Sequence, residues 1–395
     1  MVIGQLLSCR RSAVPAPQNP QVPLDIAHHF ANVPDPRHRA FRDRHRLADI
    51  LVIALSAVLS GARSWDAIAD FGLTKEAWLR SIGLELPNGI PSHDTFNRIF
   101  AALDPRAFQH CFSSWINAAC HALGFRHIPI DGKAVRGSAG PDGTCLHLVS
   151  AWAAEHRLSL AQVAVADKSN EITAIPKLLE ILELTGAIVT IDALGCQKQI
   201  ATKVREKGAD YVLAVKENQP HLYEDLSDHF DRVLEDEELL PRGRRYATEE
   251  KNRGREEHRT YIATPVPEDL RNREAWRDLS SVGCVVSVVQ REGKETVEVR
   301  YFISSLKPNA KRLAKAARGH WGIENSQHWV LDVVFQEDQC RARLENAAEN
   351  LALLRRLAMN LMAKEGTKHA SLRVKSRTAG WDDDLMAQIL TAGTT

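Results

Sequence analysis

Three carboxylates carry the chemistry that this sequence suggests. Asp131 closes the apolar run HIPID (127–131), Asp192 closes AIVTID (187–192), and Glu324 lies within RGHWGIENSQHWVLDVVFQEDQCRAR (318–343). An acid at the end of an apolar strand is open to a crevice yet anchored by rigid backbone. If the first strand lies beside the later one, the two aspartates are neighbours, and a helix can bring Glu324 against them. Clustered carboxylates repel one another unless a cation binds. Hard divalent ions with oxygen ligands, Mg²⁺ or Mn²⁺, suit such a set. Two ions about 3.5–4 Å apart would activate a nucleophile and stabilise the leaving oxygen of a phosphodiester. One strand-terminal aspartate alone reads as a cap or turn; the order strand, strand, helix is what points to a site.

The side chains around these acids suggest contacts to phosphate. Lys133 and Arg136 follow Asp131, and Lys216 and Asn218 follow the strand YVLAV (211–215). Each is weighed against a solvated loop. His320, Glu324 and His328 are four apart, and on an α-helix each such step turns about 40°, so they share a face. The histidines would contact phosphate or orient Glu324; ordinary packing is the alternative. Asp332, Glu337 and Asp338 are alternative ligands to Glu324. Trp321 and Trp329 read as core rather than as stacking platforms. H-E-x-x-H is absent, and the tract GKAVRGSAGPDG (132–143) lacks the spacing and the Lys-Ser/Thr of a phosphate-binding P-loop.

Around the acids the chain reads as α/β. Residues 1–22, with three prolines, are expected to form a disordered tail. Residues 23–125 read as an all-α N-terminal domain, built on the apolar helix LADILVIALSAVLSG (47–61). Three strands then a helix, strand, helix and strand fill 126–216, and the Glu324 helix and a long amphipathic helix fill 301–365. Residues 217–300 read as an insertion with β character, its hairpin formed by 282–290 and 296–304 around REGKE. Residues 366–395 read as a C-terminal tail.

Composition narrows the class. With 395 residues, 44% hydrophobic and 26% charged, the chain fits a globular protein of two or three domains. A net charge of +1 means that any nucleic-acid site is local. Seven scattered cysteines without C-x-x-C argue for reduced thiols in a cytoplasm. No run is long enough to span a bilayer, and no secretory h-region is seen.

The chain resembles insertion-sequence DDE transposases of the H-repeat-associated kind, the type linked to Rhs elements. The stretches carrying the likeness are DPRHRAFRDRHRLADILVIALSAVLSGARSW, LPNGIPSHDTFNRIF, IPIDGKAVRGS, TIDALGCQ, YVLAVKENQP and HWGIENSQHWVLDVVFQED, spanning about residues 34–363. The resemblance implies a ribonuclease-H-like mixed sheet core with flanking helices, with Asp131, Asp192 and Glu324 as its catalytic and metal-binding acids. It implies Mg²⁺- or Mn²⁺-dependent hydrolysis at transposon ends, then attack of the freed 3′-hydroxyl on target DNA. It also implies a homodimer on DNA in a bacterial cytoplasm, nucleoid-associated when bound. The Tyr-x₂-Arg-x₃-Glu-x₆-Lys signature of better-known relatives falls here on Ala317, His320, Glu324 and Leu331, so only the glutamate matches. Whether cleavage uses a hairpin intermediate, in which that signature contacts the DNA ends, is therefore left open by the resemblance. Two readings remain beside the transposase: a derived DNA-binding protein that has lost cleavage, and a metal-dependent nuclease without strand transfer.

Overall fold

The apolar segment 47–61 is hydrophobic on all sides, and a helix of that kind must be buried all round. In the computed structural model it forms α1 (Leu47–Leu59), with nearly every side chain inside. Asp49, buried on this helix, accepts the Leu86 backbone N–H at 3.0 Å. The structure describes residues 29–38, 42, 44–120, 126–165, 171–235, 240–252 and 254–392; the expected tail 1–22 lies outside them. Four helices follow: α2 (Trp65–Thr74), α3 (Glu76–Ser81), α4 (His93–Ala102) and α5 (Pro105–Cys120). Ser64 and Ser92 cap α2 and α4 by accepting backbone N–H groups of the first turn.

The sheet holds nine strands in the order β3-β2-β1-β4-β5-β9-β8-β7-β6. These are β1 (His127–Val135), β2 (Leu146–Ala153), β3 (Leu158–Val165), β4 (Ile188–Ile191), β5 (Asp210–Val215), β6 (Arg245–Asn252), β7 (Arg255–Pro265), β8 (Ser281–Arg291) and β9 (Lys294–Ser304). β1, β4 and β5 are parallel; β2 and β3 meander antiparallel beside β1, and β9 runs antiparallel to β5. Helices α6 (Glu171–Glu180), α7 (Lys198–Glu206) and α8 (Pro220–Glu235) link or follow the inner strands. The chain is thus mixed α/β, with one large mixed sheet and flanking helices.

After β9 come α9 (Ala310–Gly322), a π-helical turn Ile323–His328, and α10 (Trp329–Val333). The long helix α11 (Ala347–Lys364) joins the helical region to the sheet. Its Asn350 donates to the Phe100 and Leu103 carbonyls at 2.8 and 3.0 Å. Its Asn360 clasps the Ser159 backbone, accepting its N–H and donating to its carbonyl, both at 2.8 Å.

Three expectations need correction. The hairpin is present as β8 and β9, but β6 and β7 extend it to four strands continuous with the central sheet. Residues 366–395 are not simply a tail: α12 (Leu372–Ala379) and α13 (Asp383–Thr391) bury Leu385, Met386, Ile389 and Leu390. Asp131 does not end its strand. Pairing with β4 stops at Ile130, whereas pairing with β2 continues through Val135.

Candidate active site

The register of the parallel pair sets the two aspartates side by side. Ile130 pairs with Ile191, and the next residue on each strand is an aspartate. Asp131 Oδ1 accepts the Gly132 N–H at 2.9 Å. Asp192 begins the 3₁₀ turn Ala193–Gly195 and accepts the Gly195 N–H at 3.3 Å. Asn218, expected at phosphate, instead donates to the Ala193 carbonyl at 2.7 Å and so braces that turn.

Glu324 arrives on the π-helical turn. Helix α9 approaches β1 closely at Gly319, where a Cβ would stand 2.4 Å from the His127 ring. A hydrogen-bonded chain fixes the same contact: His127 Nε2 to Thr190 Oγ1 at 3.0 Å, and Thr190 Oγ1 to His320 Nδ1 at 3.1 Å. The i→i+5 bonding of a π-helix breaks the even stripe expected of His320, Glu324 and His328. His320 faces Thr190, and His328 Nδ1 lies 3.6 Å from Asp131 Oδ2. Glu324 is exposed and lines the cleft together with both aspartates.

Burial and like charges govern the electrostatics. Burial first, then Asp192 and Glu324, push the Asp131 carboxyl up to about 7. Burial also raises Asp192, with Glu171 adding to the rise and Lys216 opposing it. Glu171, on α6, acts on both aspartates and was not singled out from sequence. Burial lowers His320 to about 4 and His328 to about 3, so both are neutral imidazoles near pH 7. Carboxylates whose charges disfavour the Asp131 anion suit a hard divalent cation. Among the described residues, no three His, Cys, Asp or Glu side chains are drawn close enough to hold a metal ion. The donor chemistry fits; the set stands open.

The cleft has a volume of about 680 Å³. Besides the acids it is lined by Lys216, Arg255, Arg259, Arg300 and Arg318. Glutamates hold these arginines in place: Arg318 pairs with Glu250 at 2.7 Å, Arg259 with Glu257 at 2.5 Å, and Arg300 with Glu298 at 2.7 Å. The Arg300 guanidinium also lies 4.7 Å from the Trp321 ring centre. Trp321 and Trp329 are 42% and 55% exposed, so the expectation of core tryptophans is corrected. Lys133 is 8% exposed and faces three carboxylates, whereas Arg136 is exposed at 83% beside Asp338. Burial takes Lys133 away from phosphate, whereas Arg136 stays open to solvent.

Comparison with known proteins bears on this geometry. Residues 27–116 match the DDE_Tnp_1-associated family and residues 122–361 match the Transposase DDE domain family. The chain is 39% identical over 373 residues to "Putative protein YbfL" of Escherichia coli (strain K12), covering 92% of this chain and 97% of that protein. It is 38% identical over the same length to "H repeat-associated putative transposase YhhI" of that strain, with the same coverage. "Putative transposase YncI" of Escherichia coli O157:H7 is 39% identical over 358 residues, covering 88% of this chain and 90% of that protein. A solved piggyBac transposase synaptic complex with hairpin DNA matches over 92% of this chain and 78% of its own at 12% identity, with a TM-score of 0.39. No helix among the described residues is long and apolar enough to cross a membrane. With the domain matched over 240 residues and relatives aligned across nearly their whole length, the chain belongs to the DDE transposase family, in its H-repeat-associated, insertion-sequence branch.

Proposed function

We propose that this chain is a metal-dependent polynucleotidyl transferase that cleaves transposon ends and joins the 3′-hydroxyl to target DNA. The observation that carries the reading is the shared cleft, lined by Asp131, Asp192 and Glu324 together with five cationic side chains. The β3-β2-β1-β4-β5 half of the sheet, with its antiparallel meander and parallel inner strands, supports a ribonuclease-H-like core.

Asp131, Asp192 and Glu324 would hold Mg²⁺ or Mn²⁺, as two ions. Bound there, the ions supply Lewis acidity at the scissile phosphodiester. The protein does the rest. Lys216 and the arginines neutralise the DNA backbone and orient it across the acids. Asn218 and the Gly195 amide keep the Asp192 turn rigid. His320 and His328, being neutral, add no cation to compete with a metal. End hydrolysis and strand joining are the same in-line displacement, with water and then a 3′-hydroxyl as nucleophile. One arrangement therefore serves both. A homodimer on paired ends is the assembly that this reading carries with it.

The open spacing of the acids favours a second reading, a transposase-derived protein that binds DNA without cutting. The two separate in an assay of a duplex bearing the element's terminal repeat, incubated with Mg²⁺ beside an Asp192→Ala variant. The proposal expects nicking and joined products from the wild type and neither from the variant. Binding without Mg²⁺-dependent nicking supports the second reading; nicking without joined products indicates a nuclease.

A further inference from the structure

Lys133 lies two residues after Asp131 on β1, so their side chains leave the same face of the strand. Its ammonium does not face the cleft solvent. Nζ lies 2.8 Å from Asp332 Oδ1, 2.8 Å from Asp338 Oδ1 and 3.6 Å from Glu337 Oε2. All three acids belong to the segment that follows the π-helical turn. Glu337 is fully buried and accepts from Arg356 Nη1 at 2.8 Å, and Arg356, also fully buried, donates to the Ala352 carbonyl at 3.1 Å within α11. Arg355, 2% exposed, adds its charge to the field at Glu337. The cluster therefore balances three cations against three anions, with Lys133, Glu337, Arg355 and Arg356 buried and Asp332 and Asp338 at its partly exposed rim.

Backbone contacts reinforce the same junction. The Arg136 N–H donates to Asp338 Oδ1 at 3.3 Å, and a Cβ on Gly137 would stand 2.4 Å from the Cys340 carbonyl. Glu324 is thus bracketed. On its N-terminal side the Thr190–His320 hydrogen bond holds α9 to β4; on its C-terminal side the Lys133 cluster holds α10 and the turn after it to β1. A buried ion cluster is a poor source of stability, because apolar residues of the same volume serve as well, but it admits one pairing geometry.

We infer that Lys133, through Asp332, Glu337 and Asp338 and with Arg355 and Arg356 as counterweights, is a positioning residue that fixes the Glu324 turn relative to Asp131 and so sets the spacing of the metal-binding acids. The inference rests on the metal-dependent reading for its consequence and on geometry alone for the clamp. It assigns Lys133 a task other than binding phosphate.

The test uses the full chain and two variants. Lys133→Met leaves three acids, one of them fully buried, against two arginines and is expected to fold poorly. Lys133→Met combined with Asp338→Asn restores the balance, two against two, and is the informative protein once its cooperative melting is established. Hydrogen–deuterium exchange is read over 323–338, and Mn²⁺ binding by electron paramagnetic resonance. In the double variant the exchange rises about tenfold or more in that segment and stays unchanged in β4 and β5, and Mn²⁺ affinity falls roughly 10- to 100-fold, the range for groups that orient a metal ligand. Wild-type exchange in the double variant would overturn the clamp, whatever the metal does. Faster exchange with wild-type Mn²⁺ affinity would overturn the link to the acids. A wild type that binds no Mn²⁺ would count against the functional reading, and the exchange comparison would still decide the clamp.

Discussion

His328 Nδ1 lies 3.6 Å from Asp131 Oδ2, which docks the turn carrying Glu324 directly on the strand carrying the first acid. The contact joins residues 197 positions apart, the difference between 328 and 131. Burial keeps this imidazole neutral, so it can hydrogen-bond near the acid but supplies no counter-charge to it. The acid's charge is left to be balanced from the cleft.

That imbalance gives a pH-dependent prediction. The Asp131 carboxyl is pushed up to about 7, above its unfolded value near 3.9, so the metal-free folded state holds a proton that the unfolded chain has released. The stability this contributes is present at low pH and lost as pH rises through about 7, at most about 4 kcal/mol. His127, His320 and His328, all lowered, act in the opposite sense below about pH 6.5, so the variant-minus-wild-type difference is the quantity to measure. Asp131→Asn should gain on the wild type by about 1–3 kcal/mol between roughly pH 5 and pH 8 without metal, by urea denaturation. Mn²⁺ should close that gap. A flat difference would place the Asp131 proton elsewhere.

Salt dependence separates the cleft's cations from its histidines. Lys216 lines the cleft as a charge, and Lys216→Ala should reduce the slope of log K against log salt for a terminal-repeat duplex by about 1. His320→Ala should leave that slope unchanged near pH 7, because the ring is neutral. A lower slope in the histidine variant would show that DNA binding protonates it.

Close approach at α9 makes two glycines differ. A Cβ at Gly319 meets the His127 ring at 2.4 Å, whereas a Cβ at Gly322 meets nothing within 4 Å. Gly319→Ala should cost about 1–3 kcal/mol by overpacking. Gly322→Ala should be neutral or gain up to about 1 kcal/mol from helix propensity. Equal effects on the denaturation midpoint would mean that the helix does not rest on the strand at Gly319.

Much of the inner architecture was readable from the chain. The runs HIPID and AIVTID are apolar because their strands are covered on both faces, and the acid that ends each run lines the cleft. The four strands β6 to β9 were half hidden for the opposite reason. β6 and β7 set charged and polar residues opposite one another, as in Glu249 with His258 and Lys251 with Glu256, so no apolar period marks that stretch. Their arginines became legible as a cleft wall only once the sheet was continuous. The π-turn was hidden too, since spacing by four assumes 3.6 residues per turn. Lys133 looked like a surface cation because its three acidic partners lie about 200 positions away, and no local pattern reports such a pairing.

The central claim is that Asp131, Asp192 and Glu324 share one metal site, and Mn²⁺ binding to the full chain tests it most directly. Titration should show two ions on the wild type. Asp131→Asn, Asp192→Asn and Glu324→Gln should each weaken that binding at least tenfold while melting cooperatively. Wild-type Mn²⁺ affinity and stoichiometry in the folded Glu324→Gln variant would contradict the account, leaving the two aspartates without the third acid assigned to them.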